Sequence, residues 1–244
     1  MSNNLINHKK NIITNKCIVC NKDTLFKPDI PFYEYLQCKN CNHAFSLFDK
    51  KSCEQNEQKY YNRYIELNKY MIQETPTESY VNSIKESSKK EIDLIKNYLS
   101  RSKKILLSND HLGIKQTILE SDGFECYYLD RFKKFNTINL ERNKKYLETN
   151  ISDIQNKKFD TIIVSDSLEF EFCPYSYMLY LLSLISVRGK IILVLPVNNN
   201  FVENYKGRSQ EFTNTSIGYM VSDICSSELF TIKKDNLHVS VLNY

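Results

Sequence analysis

From residue 103 onward the chain alternates short apolar runs with amphipathic stretches. Lys104-Ile105-Leu106-Leu107 reads as a buried strand, and Gly113 to Ser121 as a helix that Asp122-Gly123 ends. Glu125 to Asp130 and Phe159 to Ser165 are two further strand runs, and Gly189 to Pro196 is a strong one. Tyr177 to Val187 is apolar on most faces and predicts a buried crossover helix. Strands and helices in alternation predict a doubly wound α/β fold, with a mostly parallel sheet covered on both faces. The tail differs. Phe230-Thr231-Ile232 and Val239 to Leu242 flank Lys234-Asp235-Asn236, which predicts a terminal antiparallel hairpin.

Upstream the period changes. Val81, Ile84, Ser88, Ile92, Ile95 and Leu99 recur at three-and-four spacing, one face of a packing helix of about twenty residues. Pro76 and Thr77 supply its start. Before it, Gln58 to Tyr64 is a polar and aromatic helix or turn. Its Tyr60, Tyr61 and Tyr64 either pack one module against the next or cover a pocket. The expected organisation is a flexible tail over 1–16, a small module over 17–55, a helical connector over 56–102 and the sheet domain over 103–244.

The small module carries the most specific signal. Cys17-Ile18-Val19-Cys20 and Cys38-Lys39-Asn40-Cys41 are two Cys-x-x-Cys pairs. Each pair turns two thiolates inward from one tight knuckle, and two knuckles form a tetrahedral four-sulfur cage suited to Zn(II). Free thiols or two disulfides are the bland readings, and the paired spacing argues for zinc. Pro28, Pro31 and the run Phe32 to Leu36 lie between the pairs, and that run predicts a strand leading into the second knuckle. So short and polar a segment needs the metal to fold. His43 lies just outside the second pair and is read as a surface residue or a support behind a ligand. A shell closed by four cysteines leaves no open position, so the zinc is structural.

Composition narrows the classes. The chain has 244 residues, a formal net charge of +4 and eight cysteines. Cys53, Cys126, Cys173 and Cys225 are scattered without a disulfide framework, which with thiolate metal ligands points to a reducing, cytoplasmic setting. Met1 to Lys16 is polar and basic, so neither a signal peptide nor a membrane span is expected. The cations are spread along the chain, and a nucleic-acid partner is not expected. Oligomeric state leaves no mark on the sequence.

Several pieces now fall into an order. The cysteine pairs are followed by Tyr60-Tyr61, then Asp130 closing the second strand, then Phe159-Asp160 opening the fourth. Ser165-Asp166-Ser167-Leu168-Glu169 closes that strand. Arg188-Gly189-Lys190 precedes the fifth and Leu195-Pro196-Val197-Asn198 follows it, and Gln210-Glu211-Phe212-Thr213 precedes a helix. From about Cys17 to the C-terminus the chain resembles class I S-adenosylmethionine-dependent methyltransferases with an N-terminal zinc ribbon, a group similar to sugar C-methyltransferases. The resemblance implies a Rossmann-like sheet and an adenosylmethionine cofactor. It departs from the family at the first strand, where an acid followed by three alternating glycines is usual. Here those positions read Leu107, Asn109, His111 and Gly113. Such glycines let the backbone approach the methionine end of the cofactor. The family's Glu-His pair reads Glu169-Phe170, and its Pro-Gly-Gly turn reads Val187-Arg188-Gly189.

By the resemblance, Asp130 would hold the cofactor ribose through two hydroxyls, the alternative being a strand-end cap. Asn109 and Gly113 would line the methionine end, with Asp166 beside the cofactor. Glu169 or a nearby tyrosine would serve as base. Glu171 is a third acid there, and a solvated acidic loop is the bland reading of all three. His111 could be a base at the mouth of the site. Three functions stay open. The first is methyl transfer to a small polar metabolite such as a sugar or sugar nucleotide. The second is an inactive methyltransferase-like binding or scaffold module, separated from the first by adenosylmethionine binding. The third is a zinc-ribbon adaptor for nucleic acid or protein, which salt-dependent oligonucleotide binding would reveal.

Overall fold

The computed structural model describes residues 16–23, 25–26, 35–46, 51, 55, 78–108, 110, 113–130, 146–148, 157–165, 167–196, 210–224, 229–234 and 237–243. These form two sheets. The smaller is antiparallel, in the order β1 (Leu25–Phe26), β2 (Tyr35–Cys38), β3 (Ala44–Ser46) and β9 (Gln210–Glu211). The larger is built from β4 (Lys104–Ser108), β5 (Glu125–Asp130), β6 (Tyr146–Glu148), β7 (Phe159–Ser165), β8 (Ile185–Pro196), β10 (Leu229–Lys234) and β11 (Leu237–Asn243). Its order is β10-β11-β8-β7-β4-β5-β6. Strands β6, β5, β4, β7 and β8 are parallel, and β11 is antiparallel to both β8 and β10. The expected parallel sheet and terminal hairpin are both present.

Alternate residues of the central strands face opposite sides, and both sides are apolar, as in parallel sheets covered by helices. On one face Ile105, Leu107, Ile163, Ile192 and Val194 pack with Ile92 and Ile95 of α1 (Glu78–Ile95) and Leu119 of α2 (Ile114–Ser121). On the other, Leu106, Ile162, Val164, Ile191 and Leu193 pack with α3 (Pro174–Ser183) and α4 (Asn214–Ile224). Cys17, Val19, Cys38 and Cys41 join this second core, so the cysteine module packs into the sheet's own interior. No helix among the described residues is long and apolar enough to cross a membrane.

Three expectations need correction or placing. The crossover helix ends at Ser183 instead of Val187, and β8 starts at Ile185 instead of Gly189. The physical reason is capture by the neighbouring strand. The Phe159 amide donates to the Leu184 carbonyl at 3.0 Å, and Ile185 pairs with Phe159. Ile185 and Val187 are β-branched and favour extended backbone. Arg188 then adopts φ 65°, within a bulge that sets residues 186–189 of β8 opposite Asp160 alone, after which the register resumes at Thr161 and Lys190. Strands β1, β6 and β9 are too short for a pattern to announce. Gln58 to Tyr64, Pro76 and Thr77 lie outside the described residues.

The bulge depends on Gly189. A Cβ there would sit 2.7 Å from Ile185 Cγ2, 2.9 Å from the Ser186 carbonyl and 3.1 Å from the Asp160 carbonyl. Two of these are backbone atoms and cannot swing aside. Gly189→Ala is therefore expected to destabilise the fold by about 1–3 kcal/mol. Denaturant unfolding checks this, and an unchanged midpoint would overturn the dependence of the bulge on glycine.

Candidate functional site

The two cysteine knuckles repeat one local design. In the first, the Asn21 amide donates to the Cys17 carbonyl at 2.9 Å and the Cys17 amide to the Lys22 carbonyl at 3.0 Å. In the second, Asn42 donates to Cys38 at 2.8 Å and Cys38 to His43 at 2.9 Å. The chain can close so tightly because Asn21 and Asn42 take left-handed backbone, φ 56° and 57°, which asparagine tolerates better than most side chains. The four Sγ atoms of Cys17, Cys20, Cys38 and Cys41 lie within 4.8 Å of one another. Cys17 and Cys41 are 3.7 Å apart, and Cys20 and Cys38 are 3.5 Å apart. A tetrahedral ion with bonds near 2.3 Å needs sulfurs about 3.8 Å apart, so the cage could hold zinc. The Cys41 hydrogen bond pulls the Cys17 thiol down to about 5, and the same bond pushes Cys41 up.

The module is fastened to the sheet by buried polar contacts. Strand β3 pairs with β9, Ala44 opposite Glu211 and Phe45 opposite Gln210. Thr213 Oγ1 donates to the Cys41 carbonyl at 2.7 Å. The same residue starts α4, its amide donating to Ser216 Oγ at 2.8 Å. His43 is fully buried rather than on the surface. Its Nε2 lies 2.9 Å from Gln210 Oε1, and its ring packs on Phe212 at 4.9 Å between centroids.

The second constellation sits at the carboxyl ends of the central strands. From β4 the chain moves to β5 on one side and later to β7 on the other, which makes the β4–β7 boundary a topological switch point. Ligands bind in the crevice outside such a boundary. Here Ser108, closing β4, hydrogen-bonds Tyr177 at 2.8 Å. Ser165, closing β7, accepts from Lys115 Nζ at 2.7 Å. That ammonium also meets Glu91 of α1 at 2.7 Å, with both side chains nearly buried. Gly113 has φ 62° at the start of α2. Asp110 accepts from the Gln116 amide at 2.7 Å and the Lys115 amide at 3.3 Å, so the helix terminus is capped by the chain's own carboxylate. Burial pushes the Asp110 carboxyl above its ordinary range despite those amides.

After β7, the 3-10 turn Leu168–Phe170 carries Glu169. Glu169 and Glu171 are 2% and 6% exposed, which removes the solvated acidic loop as a reading of these two. Asp130 closes β5, opposite Glu148 of β6. Gly113 and Glu169 thus follow the two strands that flank the crevice, and Asp130 ends the next strand. The expected sites at Asn109, His111 and Asp166 lie outside the described residues. Sequence reasoning missed Glu91, Asp110 and Lys115. Glu91 carried a signal, a charge lying within the apolar face made by Ser88, Ile92 and Ile95.

Comparison with solved structures decides the fold. The 1,6-didemethyltoxoflavin-N1-methyltransferase of Burkholderia thailandensis, with bound 1,6-didemethyltoxoflavin and S-adenosylhomocysteine, matches with TM-score 0.57 and 11% identity over 90% of this chain and 97% of that one. The plantazolicin methyltransferase BpumL in complex with SAH matches with TM-score 0.54 and 13% identity over 79% and 93%. A SAM-dependent methyltransferase from Archaeoglobus fulgidus matches with TM-score 0.52 and 9% identity over 66% and 94%. The fold is that of class I SAM-dependent methyltransferases. No family model matches the sequence, and no curated protein does.

Removing the Lys115 ammonium would take from the Glu91 carboxylate the cation it meets at 2.7 Å. Lys115→Met is expected to destabilise by about 3–5 kcal/mol, and adding Glu91→Leu to restore most of the loss. Thermal unfolding of both variants checks this, and a double variant no better than the single one would overturn the pairing.

Proposed function

We propose that this protein is a methyltransferase that uses S-adenosylmethionine to methylate a small polar metabolite. The observation that carries the reading is the fold likeness, over nearly the whole chain, to an enzyme solved with S-adenosylhomocysteine. A second observation favours this cofactor over a dinucleotide. Pyrophosphates bind at the helix N-terminus after the first strand. Here Asp110 already takes the amides of Lys115 and Gln116.

In this reading Asp130 holds the ribose hydroxyls, and Asn109 and Gly113 line the methionine end with Asp166 nearby. The sulfonium of the cofactor supplies an electrophilic methyl group. The remaining work for the chain is to align the acceptor, exclude water and remove its proton. Glu169, buried after β7, is the base. Cys17, Cys20, Cys38 and Cys41 hold a structural zinc ion within a ribbon spanning 17–55. A sugar or sugar nucleotide is the proposed acceptor class, on the resemblance of the motif order.

Calorimetric titration with S-adenosylmethionine and S-adenosylhomocysteine tests the cofactor. Micromolar binding is expected, weakened by about 1–3 kcal/mol in Asp130→Ala. No binding up to millimolar ligand would overturn the enzyme reading and leave an inactive methyltransferase-like module. For the metal, elemental analysis is expected to find about one zinc per chain, lost in Cys38→Ser. Zinc-free native protein would sink this part.

A further inference from the structure

We infer that Gln210 is a positioning residue that sets the acid-bearing turn of the crevice from the cysteine module. This rests on the reading of Glu169 as the base. Gln210 is 3% exposed and lies in β9, whose partner strand is β3 of the cysteine module. Both ends of its amide are used. Nε2 donates to the Glu171 carbonyl at 2.9 Å, and Oε1 lies 2.9 Å from His43 Nε2. Because Oε1 can only accept, His43 carries a proton on Nε2 and donates it.

The amide therefore bridges two buried segments. On one side, His43 follows the second knuckle, whose Cys38 amide is bonded to the His43 carbonyl at 2.9 Å. On the other side, the Glu171 carbonyl ends the turn that carries Glu169. Within that turn the Phe170 amide donates to the Ser167 carbonyl and the Glu171 amide to the Leu168 carbonyl, both at 3.1 Å. A 3-10 turn of three residues has little rigidity of its own. The Gln210 bridge supplies an external reference point, and the reference is the cysteine cage. Thr213 makes a parallel tie between the Cys41 carbonyl and the start of α4. A module without an open metal position thereby acts on the placement of Glu169.

The test uses the full-length, zinc-loaded protein. Gln210→Met keeps the length of the side chain and removes both bonds. Amide hydrogen exchange at Phe170 and Glu171 is expected to speed up about tenfold, the scale of one lost hydrogen bond. The 13C resonance of the Glu169 carboxyl should shift, with zinc content and the exchange of β4 and β8 unchanged. Gln210→Glu, which keeps the acceptor for His43 and loses the donor to Glu171, should behave alike. It serves as the test should the methionine variant lose zinc. Unchanged exchange and resonance in a zinc-retaining variant would overturn the proposal. A failure of adenosylhomocysteine binding in wild-type protein would remove the catalytic reading of Glu169 but leave these exchange results standing.

Discussion

The parting of the chain on either side of β4 is the constraint on which the rest depends. One crossover leads to β5 and another to β7, so the connections diverge on either side of β4, the kind of boundary outside which open parallel sheets bind ligands. Gly113 and Glu169 follow the strands on either side of that boundary. The start of α2, the turn after β7 and the end of β5 stand at the ends of these strands. The buried sheet supplies rigidity, because its strands are covered on both faces and cannot shift without breaking two cores.

Placing polar groups beside such cores is expensive unless each finds a partner. Several of the buried polar groups are held in pairs and chains. Lys115 is held by Glu91 and Ser165, Ser108 by Tyr177, and Gln210 by His43 and the Glu171 backbone. His238 is similarly set between Asn214 and Ser240. Each chain joins elements distant in sequence, so the polar groups add registry where apolar packing alone would permit sliding. The Lys115 pair also ties α1 to α2 and, through Ser165, to the end of β7.

The cysteine module is built on a different balance. Its strands are two to four residues long and could not hold together by strand pairing alone. Two left-handed asparagines and a four-sulfur cage stand in for a core of its own. Its inner side merges with the apolar face under α3 and α4. This explains why the short β9, distant in sequence, completes the small sheet.

Much of this architecture is written in local pattern. The runs at Ile105 to Leu107, Phe159 to Ser165 and Ile191 to Leu195 are largely apolar because both of their faces are buried, and unbroken runs of that length are legible in the chain itself. The paired Cys-x-x-Cys spacing brought four sulfurs to one locus, since knuckle geometry is set within five residues. The limits of α3 and β8 were not readable, because Leu184 and Ile185 are captured by Phe159 across the sheet. Nor were the partners of Lys115, Gln210 and His43, which lie 24, 39 and 167 residues away in sequence. Sequence alone determined the periodicities, the knuckles and the order of strands and helices, because these follow from neighbours along the chain. Tertiary structure alone decided which buried polar groups meet, because desolvation makes each of them depend on a partner that only folding brings near.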